Sequence, residues 1–337
     1  RSTQAVEMIG DSAAMNQLRT QIERVAPPNS RILIRGQSGV GKELVARLLH
    51  EKSHRSDGPF VVLNAAAMVP ERVEEALFGI EDHAGGTRRV GALEEAHGGT
   101  LYIDEVADMP LETQGKILRV LVEQKFLRLE GTQKVSVDVR IISSTARDIE
   151  REMADHRFRE DLYHRLNVVP LRVPSLAERR EDIPTLVHHF AKQIAETSGL
   201  APRQIGDDAI AVLQAHDWPG NVRELRNNIE RVMILVGGDN QSTITADMLP
   251  NEIGSNVPLP MIAELFASLA PHAIVEFVPK QDPMVRRLLA FREDVFAGYS
   301  IEGFRAAFEP WFTVAAETTI TGSDRTLFHF ARRDAVV

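Results

Sequence analysis

Seven residues constrain this chain more than any other stretch: Gly36-Gln37-Ser38-Gly39-Val40-Gly41-Lys42. The spacing G-x-x-x-x-G-K marks a phosphate-binding loop when a strand leads into it and a helix leaves it. Both flanks read that way. Arg31-Ile32-Leu33-Ile34 is an apolar run of strand length, and Glu43 to His50 carries helical spacing. The glycines let backbone N–H groups turn inward around phosphate oxygens, and the helix start adds partial positive charge. Lys42 is placed to reach the β- and γ-phosphates. Gly36, Gln37, Ser38, Gly39, Val40, Gly41 and Lys42 are therefore candidate residues for binding a nucleotide. A chain built around such a loop needs a parallel α/β sheet to hold it.

A second segment supports the first. Thr100-Leu101-Tyr102-Ile103-Asp104-Glu105 is a buried-strand pattern ending in two carboxylates. Asp104 is the candidate Mg²⁺ ligand, and Glu105 the group that orients or deprotonates a water. Glu43 stands where a Ser or Thr commonly ligates Mg²⁺, so the metal would lean on Asp104, water and the phosphates.

At 337 residues the chain has room for two or three domains, and its 43% hydrophobic and 26% charged content is that of a soluble globular protein. No apolar run approaches the roughly 18 residues that span a bilayer, so no membrane association is expected. The opening Arg1-Ser2-Thr3-Gln4 has no Met and no signal-peptide pattern, and reads as an excised piece of a longer chain. The absence of cysteine excludes disulfides and fits a cytoplasmic location. A net charge of −9 argues against broad nucleic-acid affinity.

Short apolar runs alternate with amphipathic stretches up to about residue 172: Phe60 to Asn64, Leu101 to Ile103, Val137 to Ile142 and Val168 to Leu171 read as strands. Helical patterns follow over Ile183 to Glu196, Asp207 to Ala215 and Asn221 to Val236, the last entered through the turn Asp217-Trp218-Pro219-Gly220.

Four ordered motifs carry a family resemblance: the phosphate loop with Glu43, Gly98 to Glu105, Phe158 to Leu166 (Phe-Arg-Glu-Asp-Leu-Tyr-His-Arg-Leu), and Trp218 to Leu225 (Trp-Pro-Gly-Asn-Val-Arg-Glu-Leu). Residues 5–253 resemble the AAA+ domain of bacterial enhancer-binding transcription regulators, the ATPases that remodel σ54 RNA polymerase, and within them the NtrX-like subgroup. The resemblance implies an AAA+ α/β nucleotide-binding domain over 1–173 and an α-helical lid over 174–253. It further implies a homo-oligomeric, hexameric ring that hydrolyses ATP to ADP and phosphate. Asn64 would hold Glu105 in an inactive pose. Arg159 and Arg165 would act as arginine fingers from a neighbouring subunit, against the alternative that Arg159 makes a structural salt bridge. Arg223 would reach the nucleotide from the lid, and Ile9 and Gly10 would pack the base.

Two departures stand out. Where the family's coupling loop carries Gly-Ala-Phe-Thr-Gly-Ala, residues Asp82 to Arg89 lack the Phe and Thr, which counts against σ54 engagement. Where the fourth strand of the family ends in Thr-Asn, this chain has Thr145-Ala146, which points to weak coupling of hydrolysis to movement. Neither a receiver domain before Arg1 nor a DNA-binding helix-turn-helix after residue 253 is legible, so DNA contact would come only through an additional domain. The alternative to an ATPase is a nucleotide-gated oligomerisation scaffold with little hydrolysis.

Residues 254–258 read as a linker, and 259–337 as a small α/β segment. The strand Ala273 to Pro279, the helix Ser300 to Glu309 and the strands Phe312 to Ile320 and Arg325 to Ala331 resemble the last third of a Rossmann-like, S-adenosylmethionine-dependent methyltransferase. The likeness rests on Glu276 to Lys280 with Asp282 and Arg286, but the cofactor's glycine loop and ribose carboxylate are missing. This predicts a fused fragment whose first strand lacks its neighbour. His50-Glu51-Lys52-Ser53-His54 matches the zinc-protease pattern letter for letter, yet a solvated helix end is the expected reading. His188-His189 and Arg88-Arg89 read as ordinary helix and loop residues.

Overall fold

The computed structural model describes residues 7–81, 87–199, 203–235, 243–250, 253, 259–282, 299–321 and 323–333. They fall into two compact units, residues 1–203 with 217–241, and residues 204–216 with 242–337. In chain order the elements are α1 (Ala13–Val25), β1 (Ile32–Arg35), α2 (Lys42–Glu51), β2 (Phe60–Asn64), α3 (Pro70–Phe78), β3 (Ile80–Glu81), β4 (Thr87–Arg89), α4 (Ala92–Glu95), β5 (Thr100–Asp104), α5 (Leu111–Glu123), β6 (Lys125–Leu127), β7 (Lys134–Ser136), β8 (Arg140–Thr145), α6 (Ile149–Ala154), α7 (Glu160–Leu166), β9 (Val169–Arg172), α8 (Ile183–Ser198), α9 (Asp207–Ala215) and α10 (Asn221–Leu235).

The first unit is built on a parallel five-stranded sheet in the order β2-β5-β8-β1-β9. Its inner strands are covered on both faces, which is why they read as near-continuous apolar runs. Ile32, Ile34, Tyr102 and Ile142 pack toward α1 and α2, and Leu33, Leu101, Ile103 and Ile141 toward α5 and α7. The loops leaving β1, β2, β5 and β8 all open at the carboxyl edge of the sheet, where ligands of open α/β sheets bind.

Strand β8 begins at Arg140, three residues later than the Val137 expected from hydropathy. Val137 and Val139 are buried, but pairing starts only where Arg140 N donates to Gly99 O at 3.0 Å. The Arg140 guanidinium is buried and spends its donors on the carbonyls of Val25, Ala26 and Ser30. Burial lowers its pKa to about 10.

Helix boundaries follow local chemistry. The Ser12 hydroxyl caps α1 by accepting from Met15 N. Ser175 and Glu178 form a capping box at the start of the short 3₁₀ segment Leu176–Asp182, and α8 follows with a proline in its first turn. Gly199, at φ +65°, terminates α8. The coupling-loop residues Asp82 to Gly86, and the side chain of Arg88, lie outside the described residues.

In the second unit α9 and the helix Leu259–Leu269 accompany an antiparallel three-stranded sheet, β10 (His272–Phe277), β11 (Phe312–Thr319) and β12 (Thr326–Arg332), with β12 in the middle. The helix Ile301–Phe308 covers one face through Phe304 and Phe308, which meet Phe312, Phe328 and Phe330. The ring of Phe308 stacks on that of Phe330 with centroids 4.5 Å apart.

The methyltransferase resemblance is not borne out, and the expected unpaired first strand is corrected. β10 pairs along its whole length with β12, from His272↔Ala331 to Phe277↔Thr326. The described strands close on a phenylalanine core of their own and include no parallel pair of a dinucleotide-type sheet. Arg286 and the linker residues 254–258 lie outside the described residues.

Candidate nucleotide site

A cavity of about 550 Å³ opens at the carboxyl edge of the first unit's sheet. Ser38 to Val45 line it together with Asn64, Asp104, Glu105 and Arg223, and so do the apolar Met8, Ile9, Val173, Leu186 and Phe190. The lining thus combines charged and hydrogen-bonding groups with apolar side chains, as a nucleoside phosphate requires.

The loop's shape depends on its glycines. Gly39 has φ +79°, and a Cβ there would stand 2.1 Å from Gly220 O, so the loop passes the start of α10 at backbone distance. Gly41, at φ +102°, caps α2 and turns the first helical N–H groups toward the cavity. Lys42 is 6% exposed, and its Nζ donates to Gly36 O at 2.9 Å and Gln37 O at 3.2 Å. The same Nζ lies 3.2 Å from Glu105 Oε1. A cation buried this deeply, with carbonyl and carboxylate acceptors only, fits an incoming polyphosphate.

Asp104 is held from one side. Ser144 Oγ donates to Asp104 Oδ1 at 2.5 Å, and the Tyr102 hydroxyl lies 3.0 Å from the same oxygen and 2.8 Å from Ser144 Oγ. Burial, and then the Asp104 charge, push the Tyr102 hydroxyl far above its ordinary range, so it stays protonated. Asp104 Oδ2 keeps only a 3.5 Å bond from Asn64 Nδ2. One carboxylate oxygen fixed and one nearly free is a donor set that fits Mg²⁺, which usually takes one or two carboxylates and keeps several waters.

Glu105 sits at φ +52°, an uncommon left-handed conformation for a glutamate. Its Oε2 accepts from the backbone N–H of Ala146 at 2.9 Å. Asn64 does not hold Glu105, contrary to expectation. Its Oδ1 accepts from Ala66 N and Ala67 N, and its amide reaches Asp104 instead, because β2 pairs Asn64 directly with Asp104. The Asn-to-Ala change at 146 leaves a donor in place, since the peptide N–H needs no side chain.

Glu43 lines the cavity but is bonded to Arg47 Nη2 at 2.7 Å, one helical turn away. Ile9 lines the cavity, and Gly10, at φ +112°, would press a Cβ to 2.5 Å from the Asp182 carboxyl carbon. Arg223 reaches Ser38 Oγ at 3.4 Å, and Arg223 N donates to Gly39 O. Arg159, which precedes α7, and Arg165 within it are exposed and do not line this cavity. Arg159 makes a two-point contact with Asp161, at 3.0 and 2.8 Å.

Sequence reasoning missed three residues. Ser144 anchors Asp104, and its signal was a polar residue inside a central strand. Asn221 is fully buried at φ +51°, donates to Gln37 Oε1 and Ser38 O, and accepts from Leu176 N. It clasps the phosphate loop to the entry of α10. Arg179 is the third.

The zinc-protease pattern does not form a site. Helix α2 ends at Glu51, so His54 is off its face and exposed. His50 is buried, with Nδ1 2.9 Å from Thr100 Oγ1, and burial lowers its pKa. Among the described residues no three His, Cys, Asp or Glu side chains converge on a metal position. His188 is exposed, whereas His189 borders the cavity, edge-on to Phe190.

Comparison with known proteins matches residues 8–172 to the sigma-54 interaction domain and residues 177–260 to an AAA+ ATPase lid domain. The nitrogen assimilation regulatory protein NtrX of Azorhizobium caulinodans is 62% identical over 256 residues, covering 76% of this chain and 56% of that protein. The DNA-binding transcriptional regulator NtrC of Rhizobium meliloti is 43% identical over 260 residues, 76% of this chain and 53% of that one. The chain thus spans little more than half the length of these relatives. A crystal structure of NtrX from Brucella abortus in complex with ATP superposes with a TM-score of 0.75 at 55% identity, covering 90% of this chain and 61% of that one. The same protein with ADP gives 0.74 at 54% identity, with 90% and 62% covered. No helix among the described residues is long and apolar enough to cross a membrane. With the phosphate loop, the paired carboxylates and the parallel sheet in the places such a module needs them, residues 8–260 belong to the AAA+ ATPases of the sigma-54 interaction family.

Proposed function

We propose that this chain is the ATP-hydrolysing part of an NtrX-like, two-component transcription regulator that works in the bacterial cytoplasm as a homo-oligomeric ring. In this reading residues 1–173 form the nucleotide-binding domain and 174–253 the lid, followed by a linker over 254–258 and an appended segment over 259–337. DNA contact is left to a domain beyond this stretch, and a degenerate coupling loop weakens any engagement of σ54 polymerase.

Lys42 and the loop N–H groups hold the β- and γ-phosphates of ATP, and Arg223 closes over them from α10. Glu105 orients a water and accepts its proton. The water oxygen bonds to the γ-phosphorus as the bond to the β–γ bridging oxygen breaks, giving ADP and phosphate. Mg²⁺, held by Asp104 with water and phosphate oxygens, would neutralise charge on the phosphates. Arg159 and Arg165 supply positive charge to the γ-phosphate of the next subunit.

The observation that carries this reading is the division of parts. Lys42, Asp104 and Glu105 share one cavity, while Arg159 and Arg165 stand exposed outside it. A second reading is a nucleotide-gated scaffold with little hydrolysis. It is favoured by Glu105, whose two oxygens are engaged by Lys42 and Ala146 N. Steady-state ATPase rate against protein concentration separates the two. Specific activity that climbs with concentration and vanishes in Glu105→Ala and Arg159→Ala supports the ring. A flat rate at the Glu105→Ala background, with ATP still bound, leaves the scaffold.

A further inference from the structure

Two cavity-lining arginines are left without a task by the reaction above: Arg226, which is exposed and faces Glu230, and Arg179, which is buried. The latter is 3% exposed, among the most buried charged residues described. Arg179 interrupts the 3₁₀ segment Leu176–Asp182 with φ −140° and ψ 45°, and its side chain lines the cavity beside the phosphate-loop residue Val40. Its guanidinium is poorly satisfied. Nη2 makes a 3.5 Å bond to Val40 O, and Nε has no acceptor.

The carboxylate nearest by charge, that of Asp182, is already committed. Oδ1 accepts from Asp11 N and Ser12 N, and Oδ2 accepts from the Ser12 hydroxyl at 2.6 Å. Among the described residues no carboxylate lies within ion-pair distance of Arg179. Burial accordingly lowers its pKa, with Asp182 only partly opposing. A buried guanidinium short of acceptors is costly unless something else supplies them.

We propose that Arg179 binds the base of the nucleotide, its guanidinium donating to a ring nitrogen of the purine. The chemistry selects this partner. A guanidinium has donors only, so it meets the bare ring nitrogens of adenine and not the exocyclic amino group. Met8, Ile9, Val173, Leu186 and Phe190, which line the same cavity, suit a flat aromatic ring. The triphosphate already has Lys42 and the loop N–H groups. This inference rests on the nucleotide reading of the cavity.

The test is a cycle of protein and ligand changes. Dissociation constants are measured for wild type, Arg179→Met and Arg179→Lys with ATP and with its 1-deaza, 3-deaza and 7-deaza analogues. Met keeps the length of the stem and removes the donors. The expected result is a loss of roughly tenfold or more for ATP in Arg179→Met. That loss disappears with the one analogue that lacks the accepting nitrogen, and Arg179→Lys loses less. Losses equal for ATP and all three analogues, or no loss, overturn the role in base binding even if the variants are less stable, since a folding defect does not distinguish deaza analogues. A wild-type protein that binds no ATP overturns the nucleotide reading itself and this inference with it.

Discussion

The backbone N–H of Ala146 donates to Glu105 Oε2 at 2.9 Å, joining the end of β8 to the first residue after β5. Oε1 of the same glutamate lies 3.2 Å from Lys42 Nζ. Glu105 is therefore restrained between the phosphate loop and the neighbouring strand, and phosphate binding at Lys42 competes directly for its partner. Entry of a γ-phosphate would free Oε1 to meet a water.

Replacing Glu105 with Gln keeps the shape and removes the proton acceptor. Single-turnover hydrolysis should fall by roughly 100-fold or more, while the dissociation constant for ATP stays level or improves because Lys42 loses a competing charge. Rapid-quench and equilibrium binding measurements on the same preparations check both halves. Unchanged hydrolysis would remove Glu105 from the mechanism.

If Arg159 acts on a neighbour's site, two inactive variants should repair one another. Subunits with Glu105→Gln retain the finger, and subunits with Arg159→Ala retain the base. Mixing them in equal amounts should restore measurable ATPase activity that neither shows alone. Persistent inactivity of the mixture, with ring assembly intact by light scattering, would place Arg159 in its structural pairing with Asp161.

Asn221 has the backbone of a left-handed residue and four hydrogen-bond contacts from a fully buried amide. Asn221→Gly keeps the backbone accessible and deletes the clasp. It should cost about 2 kcal/mol, seen as a melting temperature lower by about 5 °C, together with weaker ATP binding. Thermal unfolding followed with and without ATP measures each effect.

Gly39→Ala should be more damaging to binding than its one methyl suggests. The new Cβ would collide with Gly220 O and sit on a backbone at positive φ. The loop can relieve this only by leaving the start of α10. ATP affinity should drop by about tenfold or more, and a titration matching wild type would show that the loop and α10 are not held together in solution.

His50 gives a pH signature. Burial is the largest cause lowering its pKa, so the folded state resists protonating it. The unfolded chain binds the proton near the ordinary value of about 6.5. Its stabilising contribution is therefore full above that pH and is lost as pH falls toward the depressed folded value. His50→Gln can still meet the Thr100 hydroxyl and does not titrate, so its melting temperature should fall less between pH 7 and pH 5. Parallel slopes for the two proteins would remove His50 as a source of acid sensitivity.

The most legible parts of the chain were those whose signal is local. A phosphate loop needs its glycines within seven residues, and a buried strand ending in Asp104 and Glu105 declares itself by hydropathy. The helices over Ile183 to Ser198 and Asn221 to Leu235 follow from caps and spacing. These elements carry their own physical cause in neighbouring residues, so the sequence by itself determined the α/β class and the order of motifs, and singled out Lys42, Asp104 and Glu105 as candidates.

Tertiary structure decided the partners. Asn64 faces Asp104 and not Glu105 because parallel pairing sets the register of β2 against β5. Ala146 serves Glu105 through a peptide group that has no side-chain signal at all. Ser144 became an anchor only when β8 lay beside β5, and Asn221 a clasp only when α10 met a loop more than 180 positions earlier in the chain. In the second unit the phenylalanines were visible as apolar residues, but their closure around β12 depended on antiparallel pairing of strands some 50 residues apart. Hydrogen bonds and packing act over a few ångströms in space, and a linear sequence records that distance only when the partners are near neighbours.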